Sequence, residues 1–295
     1  MSVTVEEQEQ EQQYAQNYLV SFADLLGQRH AMAGQNLMPT ITTPDEEAAF
    51  KAVVRNSVGA ISRLQRWAAT FITSMDSDGR PSKLRDRLPE EMKAHWDLMR
   101  KSNIKSQHWS DGLVHFVGLG DKSVKCPMNG AFTLIAASAN HCLQGLAAKS
   151  PVRCAVDVAW AIELRDGELY GPAVARAYEL ESNVAQYPRV VVGDHAVGYF
   201  QAQAQRNEND FFAQYERQLG QLCLDLIVKD ADGSWILHYL GPVFRELVPA
   251  ESFAELYKHA LEFVKSQVQL HRKEGNSKLA FRYTMLLGYF EAHPL

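Results

Sequence analysis

The stretch from Val152 to Leu164 constrains this chain more than any other segment. Val152, Cys154, Val156 and Val158 fall on one side of an extended backbone, and Arg153, Ala155, Asp157 and Ala159 fall on the other. That period of two marks a strand. Asp166-Gly167 follows as a turn. Pro172 suits the first turn of a helix, whose apolar stripe reads Ala173, Ala177, Leu180 and Val184. Tyr187-Pro188 ends that helix, and Val190 to Val192 reads as a further short strand. Strand, turn, helix and strand in about forty residues call for a mixed α/β domain.

The flanks extend this reading in both directions. Tyr18 to Phe22 reads as a strand that ends at Asp24 and Gly27. From Asp45 to Thr73, Phe50, Val53, Val54, Val58, Ile61, Leu64 and Trp67 recur at helical spacing. Thr43-Pro44-Asp45-Glu46-Glu47 supplies the cap at its start. Ser74 to Pro89 is expected as loop, Glu90 to Arg100 as a helical piece, and Gln107 to Val117 as β-structure with Asp111-Gly112 inside it. Gly118, Gly120 and Asp121 form a joint before a helix over 131–148. Beyond Gly198, a helix around Phe211, Tyr215, Leu219 and Leu222 leads to an Asp230-Ala-Asp-Gly233 turn. Two helices, 252–272 and 278–290, complete the chain. The expected division is a flexible acidic, Gln-rich tail over 1–15, an α/β domain over 16–200, and a mostly helical extension over 201–295.

Composition removes several function classes. The formal net charge is -5, and the basic residues are dispersed, so nucleic acid is not indicated. Cys126, Cys142, Cys154 and Cys223 form no CxxC pair and have no histidines at zinc spacing, which fits reduced thiols in a soluble, cytoplasmic protein. No run reaches membrane-spanning length. Gly118-x-Gly120 lacks the Lys-Ser/Thr of a phosphate loop, and the Asp230 turn lacks the closing Glu of a calcium loop. No Gly-x-Ser-x-Gly or HExxH points to a hydrolase.

Two aspartates carry the chemistry that remains. Asp24 closes the apolar run Tyr18-Leu-Val-Ser-Phe-Ala, and Asp111 interrupts His108-Trp-Ser-Asp-Gly-Leu-Val-His-Phe116. A carboxylate at the end of a buried strand is costly unless it is paired or metal-bound. Two carboxylates on neighbouring strands are a donor set suited to Mg²⁺ or Mn²⁺ and phosphate oxygens. Taken alone, each segment also fits an ordinary turn or cap.

The ordered succession of these elements resembles the class III nucleotidyl (adenylate/guanylate) cyclase homology domain, in a divergent bacterial branch. The most specific block is Val152 to Val192, with Arg153, Tyr170-Gly171-Pro172-Ala173, Ala177-Tyr178-Glu179-Leu180-Glu181 and Tyr187-Pro188-Arg189. The resemblance implies an α+β fold: a ferredoxin-like, largely antiparallel central sheet with helices packed on it. It also implies a homodimer with its sites between the two copies. Asp24 and Asp111 match the two metal ligands, for Mg²⁺ or Mn²⁺, and a nucleoside triphosphate is the implied ligand. Glu168 falls where the family reads the purine edge.

The family's Asn and Arg, one turn apart on the helix after Gly171, correspond to Ala175 and Glu179 here. Arg176 stands in for the arginine only in a shifted helix register. Arg153 and Asp157, on one strand face, are expected to pair with each other. Two functions follow. The first is a catalytically degenerate cyclase-like protein that binds metal or nucleotide and works as a sensor or scaffold in bacterial signalling or defence. The alternative is an active two-metal cyclase that converts a nucleoside triphosphate to a cyclic nucleotide and pyrophosphate.

Overall fold

The computed structural model describes residues 14–28, 32, 37–77, 86, 89–99, 101–120, 126–208 and 210–295. The expected tail, apart from Tyr14 and Ala15, lies outside these residues. So do Asp121 and most of the expected 74–89 loop.

A mixed sheet organises the chain. Strand β1 (Gln16–Leu25) is central. The hairpin β2 (Lys105–Trp109) and β3 (Gly112–Gly118) lies on one side of it, and the long β4 (Val152–Arg165) on the other. Beyond β4 come β6 (Val190–Val192), β8 (Trp235–Leu237) and β7 (Ile227–Lys229), while β5 (Glu168–Tyr170) folds back on the end of β4. Pairing is antiparallel throughout, except for the parallel β4–β6 pair. The observed architecture agrees with the α+β expectation.

Both faces of the sheet are covered, and the alternation read in β4 explains why. Val152, Cys154, Val156 and Val158 face helix α4 (Pro127–Ala147) and the larger core, together with Leu19, Ala23 and Leu25 of β1. On the opposite face, Tyr18, Val20, Phe22, Val114 and Phe116 pack under Ala173, Val174 and Ala177 of α5 (Pro172–Asn183). Small residues in β4 and α5 permit this close approach. Gly171 caps α5 at φ 141°, in the region that favours glycine, and a Cβ there would lie 2.9 Å from the Ala161 Cα.

The expected 45–73 helix is divided. Helix α1 (Pro44–Asn56) stops at Ser57, and α2 (Val58–Asp76) begins beyond it. The buried Ser57 hydroxyl donates to the Val53 carbonyl at 2.7 Å, a back-bond that bends helices. The Thr43 cap forms as read, with reciprocal bonds between Thr43 and Glu46. Helix α3 (Glu90–Met99) matches the expected second piece. Helix α6 (Asp194–Ala204) has no counterpart in the sequence reading, because Gly198 and the short apolar stretch around it give no clear period.

Past residue 200 the chain is mostly helical: α7 (Phe211–Asp225), α8 (Pro242–Leu247), α9 (Ala250–Lys273) and α10 (Ser277–Ala292). It also adds β7 and β8 to the same sheet. Phe253, Val264, Leu286 and Phe290 belong to one apolar cluster with Leu19 and Val156. The turn between β7 and β8 is held by Arg189, buried at 1% exposure, which donates to Asp230 and, at 2.6 Å, to Asp232. The Asp230 turn is therefore the hairpin turn the sequence indicates.

Candidate functional site

The strand register brings Asp24 and Asp111 to one end of the sheet. Asp24 lies opposite Gly112 on β3, so Asp111, in the β2–β3 turn, is one residue beyond that pairing. On its other side Asp24 lies opposite Arg153 of β4. Arg153 Nη2 donates to Asp24 Oδ2 at 3.1 Å and lies 2.8 Å from Oε1 of Glu181 on α5. Glu181 is 2% exposed. Burial pushes its carboxyl up to about 7; Arg153 opposes the rise, and the charges of Asp24 and Asp111 add to it. Asp24, Glu181 and Arg153 thus share the α5 face of the sheet, with Asp111 in the adjoining turn near enough for its charge to act on Glu181.

The expected Arg153–Asp157 pair does not form. Arg153 goes to Asp24 and Glu181, while Asp157 goes to Arg176. Asp157 is fully buried. Its Oδ2 accepts from Arg176 Nε at 2.8 Å, and its Oδ1 accepts from the Ala196 amide at 3.0 Å, in the first turn of α6. Gly193, at the cap of α6, stands so close that a Cβ would overlap the Asp157 carboxyl. Strand periodicity places Arg153 and Asp157 on the same face, but the α5 side chains above them decide the partners.

Beside this cluster, α5, the end of β2, the middle of β4 and β5 line an open cleft of about 680 Å³. Its walls are largely aromatic: Trp109, Trp160, Tyr170 and Tyr178. Trp160 and Tyr178 are each about half exposed and Tyr170 more so. Phe22 lies beneath, in edge contact with both Trp109 (6.0 Å) and Tyr178 (5.3 Å). Ala175, Arg176 and Glu179 also line this cleft.

The structure separates the remaining predicted site residues from the aspartates. Glu168 opens β5 and pairs in register with Arg165; its exposed carboxylate lies 3.9 Å from that arginine. From Arg153 to Arg165 along β4 is roughly 40 Å at the usual strand rise. Arg176 lines the cleft but is tied to Asp157. Sequence reasoning missed Glu181. Its signal is the spacing 173, 177, 181, which continues the buried stripe of α5 with a carboxylate.

As folded, this donor set does not fit a two-metal centre. Asp24 already shares Arg153 with Glu181, so an incoming divalent cation meets a guanidinium. Among the described residues, no group of three or more His, Cys, Asp or Glu side chains could hold a metal ion.

Other buried polar groups serve packing. His115 and His141 stack at 5.7 Å, and burial lowers their pKa values to about 3 and about 4. His115 Nδ1 bonds the Ser106 hydroxyl at 2.7 Å, while exposed His108 bonds Gln65. All four cysteines are buried and unpaired. Tyr239, Tyr283 and Phe290 lie in the main core, with Tyr289 packed against it. Among the described residues, no helix is long and apolar enough to cross a membrane.

No family model and no curated protein matches the chain. Among solved structures it is similar to the adenylyl cyclase CyaB from P. aeruginosa, with TM-score 0.39 and 11% identity over 64% of this chain and 82% of that one. It is similar to a bacterial light-regulated adenylyl cyclase, with TM-score 0.38 and 11% identity over 84% and 99% of the two chains. A rhodopsin-guanylyl cyclase catalytic core with converted specificity, in complex with ATPalphaS, gives TM-score 0.39 and 9% identity over 77% and 98%.

Proposed function

We propose that this chain is a cyclase-like domain that has lost turnover and works as a nucleotide-binding sensor or scaffold. The observation that carries this reading is the charge of the α5 cleft. Its two charged lining residues are Glu179 and Arg176, and Arg176 is committed to the buried Asp157. The resemblance requires a guanidinium at Glu179 and an amide at Ala175 to steady a reacting triphosphate. A carboxylate there repels it instead. What the cleft offers is stacking surface, which suits a base regardless of its identity.

The resemblance implies that a second copy of the chain covers such a cleft, and we take the partner to be that copy. The active-cyclase reading is favoured by one observation, the convergence of Asp24 and Asp111 at one sheet end. Against it stands the Arg153 guanidinium among those carboxylates.

Tryptophan fluorescence tests the cleft. Titration with each ribonucleoside monophosphate, which brings the base with far less charge for Glu179 to repel, should quench Trp109 and Trp160 emission saturably, and Trp160→Leu should weaken that quenching. Emission that stays unchanged up to millimolar nucleotide removes the nucleotide from the cleft. Sedimentation of the same samples reads the dimer, and a monomer at all concentrations contradicts it.

A further inference from the structure

We infer that Arg153 takes the place of a divalent cation among Asp24, Asp111 and Glu181, so that this end of the sheet is an ion lock that needs no metal. One nitrogen, Nη2, serves both Asp24 (3.1 Å) and Glu181 (2.8 Å), bridging two carboxylates from different elements as a bound cation does. The Arg153 side chain is 19% exposed and sits in register opposite Asp24. Its position is therefore set by strand pairing, and it is not a mobile surface arginine that a metal would simply displace.

The charges lead to the same conclusion. Three carboxylates at one sheet end are strained unless countercharge is near. Arg153 supplies one positive charge within contact. Arg282 on α10, anchored on the Gln186 side chain, is near enough to Arg153 for the two cations to oppose each other. With the Arg153 guanidinium in contact with Asp24 and Glu181, and burial raising the Glu181 carboxyl to about 7, little negative charge remains for a divalent ion. Mg²⁺ and Mn²⁺ also demand compact shells of oxygen ligands, which a guanidinium in the middle of the cluster prevents. The lock ties three elements together: β1 through Asp24, β4 through Arg153, and α5 through Glu181. It thereby fixes the helix that lines the aromatic cleft.

The test uses Mn²⁺ alone, followed by its electron paramagnetic resonance signal, which falls when the ion is bound. Wild type should leave Mn²⁺ free into the millimolar range. Arg153→Gln should gain one saturable site, and that site should vanish in Arg153→Gln/Asp24→Asn. Arg153→Lys, which keeps the charge, should stay metal-free. If Arg153→Gln unfolds, added Mn²⁺ should refold it and leave the wild-type melting temperature unchanged.

Saturable binding to wild type that Asp24→Asn abolishes overturns the inference. So does an Arg153→Gln protein, folded or unfolded, that Mn²⁺ neither binds nor restores. No nucleotide is present in this titration, so its failure leaves the reading of the cleft intact.

Discussion

Asp24 and Arg153 face each other across the β1–β4 pairing, 3.1 Å apart, at the end of the sheet where Glu181 shares the same guanidinium. The same guanidinium reaches Glu181, so losing it leaves a buried carboxylate without its countercharge. Arg153→Gln should cost about 3–5 kcal/mol in urea unfolding. Asp24→Asn should cost less, because Asp24 keeps some contact with water. The two changes should be coupled by about 0.5–3 kcal/mol in a double-mutant cycle. Additive effects would show that the two side chains are only neighbours.

The Asp157 carboxyl depends on a missing side chain. Gly193→Ala places a methyl group where that carboxyl sits, and should cost about 1–3 kcal/mol. In an Asp157→Ala background the same change should cost much less, since the overlap is gone. Equal costs in both backgrounds, read by chemical denaturation, would separate Gly193 from Asp157.

The stacked pair His115 and His141 sets an acid limit. Both are neutral in the fold, with pKa values lowered by burial to about 3 and about 4, but take up protons near the ordinary 6.5 once unfolded. Between those values the unfolded chain holds more protons, so stability falls as pH drops from 6.5 towards 4. Each histidine steepens that fall by up to about 1.4 kcal/mol per pH unit. Replacing both with glutamine should flatten the profile of unfolding free energy against pH across this window; an unchanged slope would assign the acid sensitivity elsewhere.

Much of the scaffold is written in local patterns. The alternation in β4 is legible because each face meets a different apolar layer, and the Thr43 box and the Asp230 turn depend only on neighbours in sequence. Asp24 and Asp111 stand out as carboxylates breaking apolar runs, and strand register does bring them together. What stays hidden depends on a third layer. Strand period places Arg153 and Asp157 together, but α5 lays Glu181 over one and Arg176 over the other. Ser57 divides a continuous helical period through a hydroxyl bond to Val53 that no pattern of apolar residues records. The soft boundary near residue 200 follows a change of composition, while β7 and β8 join the sheet through β6 and the buried Arg189.

On the function proposed above, the cyclase-like site has lost its turnover, with Glu179 where the resemblance expects a guanidinium and Arg153 among the aspartates. The most direct measurement is mass spectrometry of products after incubating the protein with each of the four ribonucleoside triphosphates and Mn²⁺, alongside Asp111→Asn. Intact triphosphates and no cyclic nucleotide are expected in both samples. A cyclic product made by the wild type and absent from Asp111→Asn would contradict that loss of turnover.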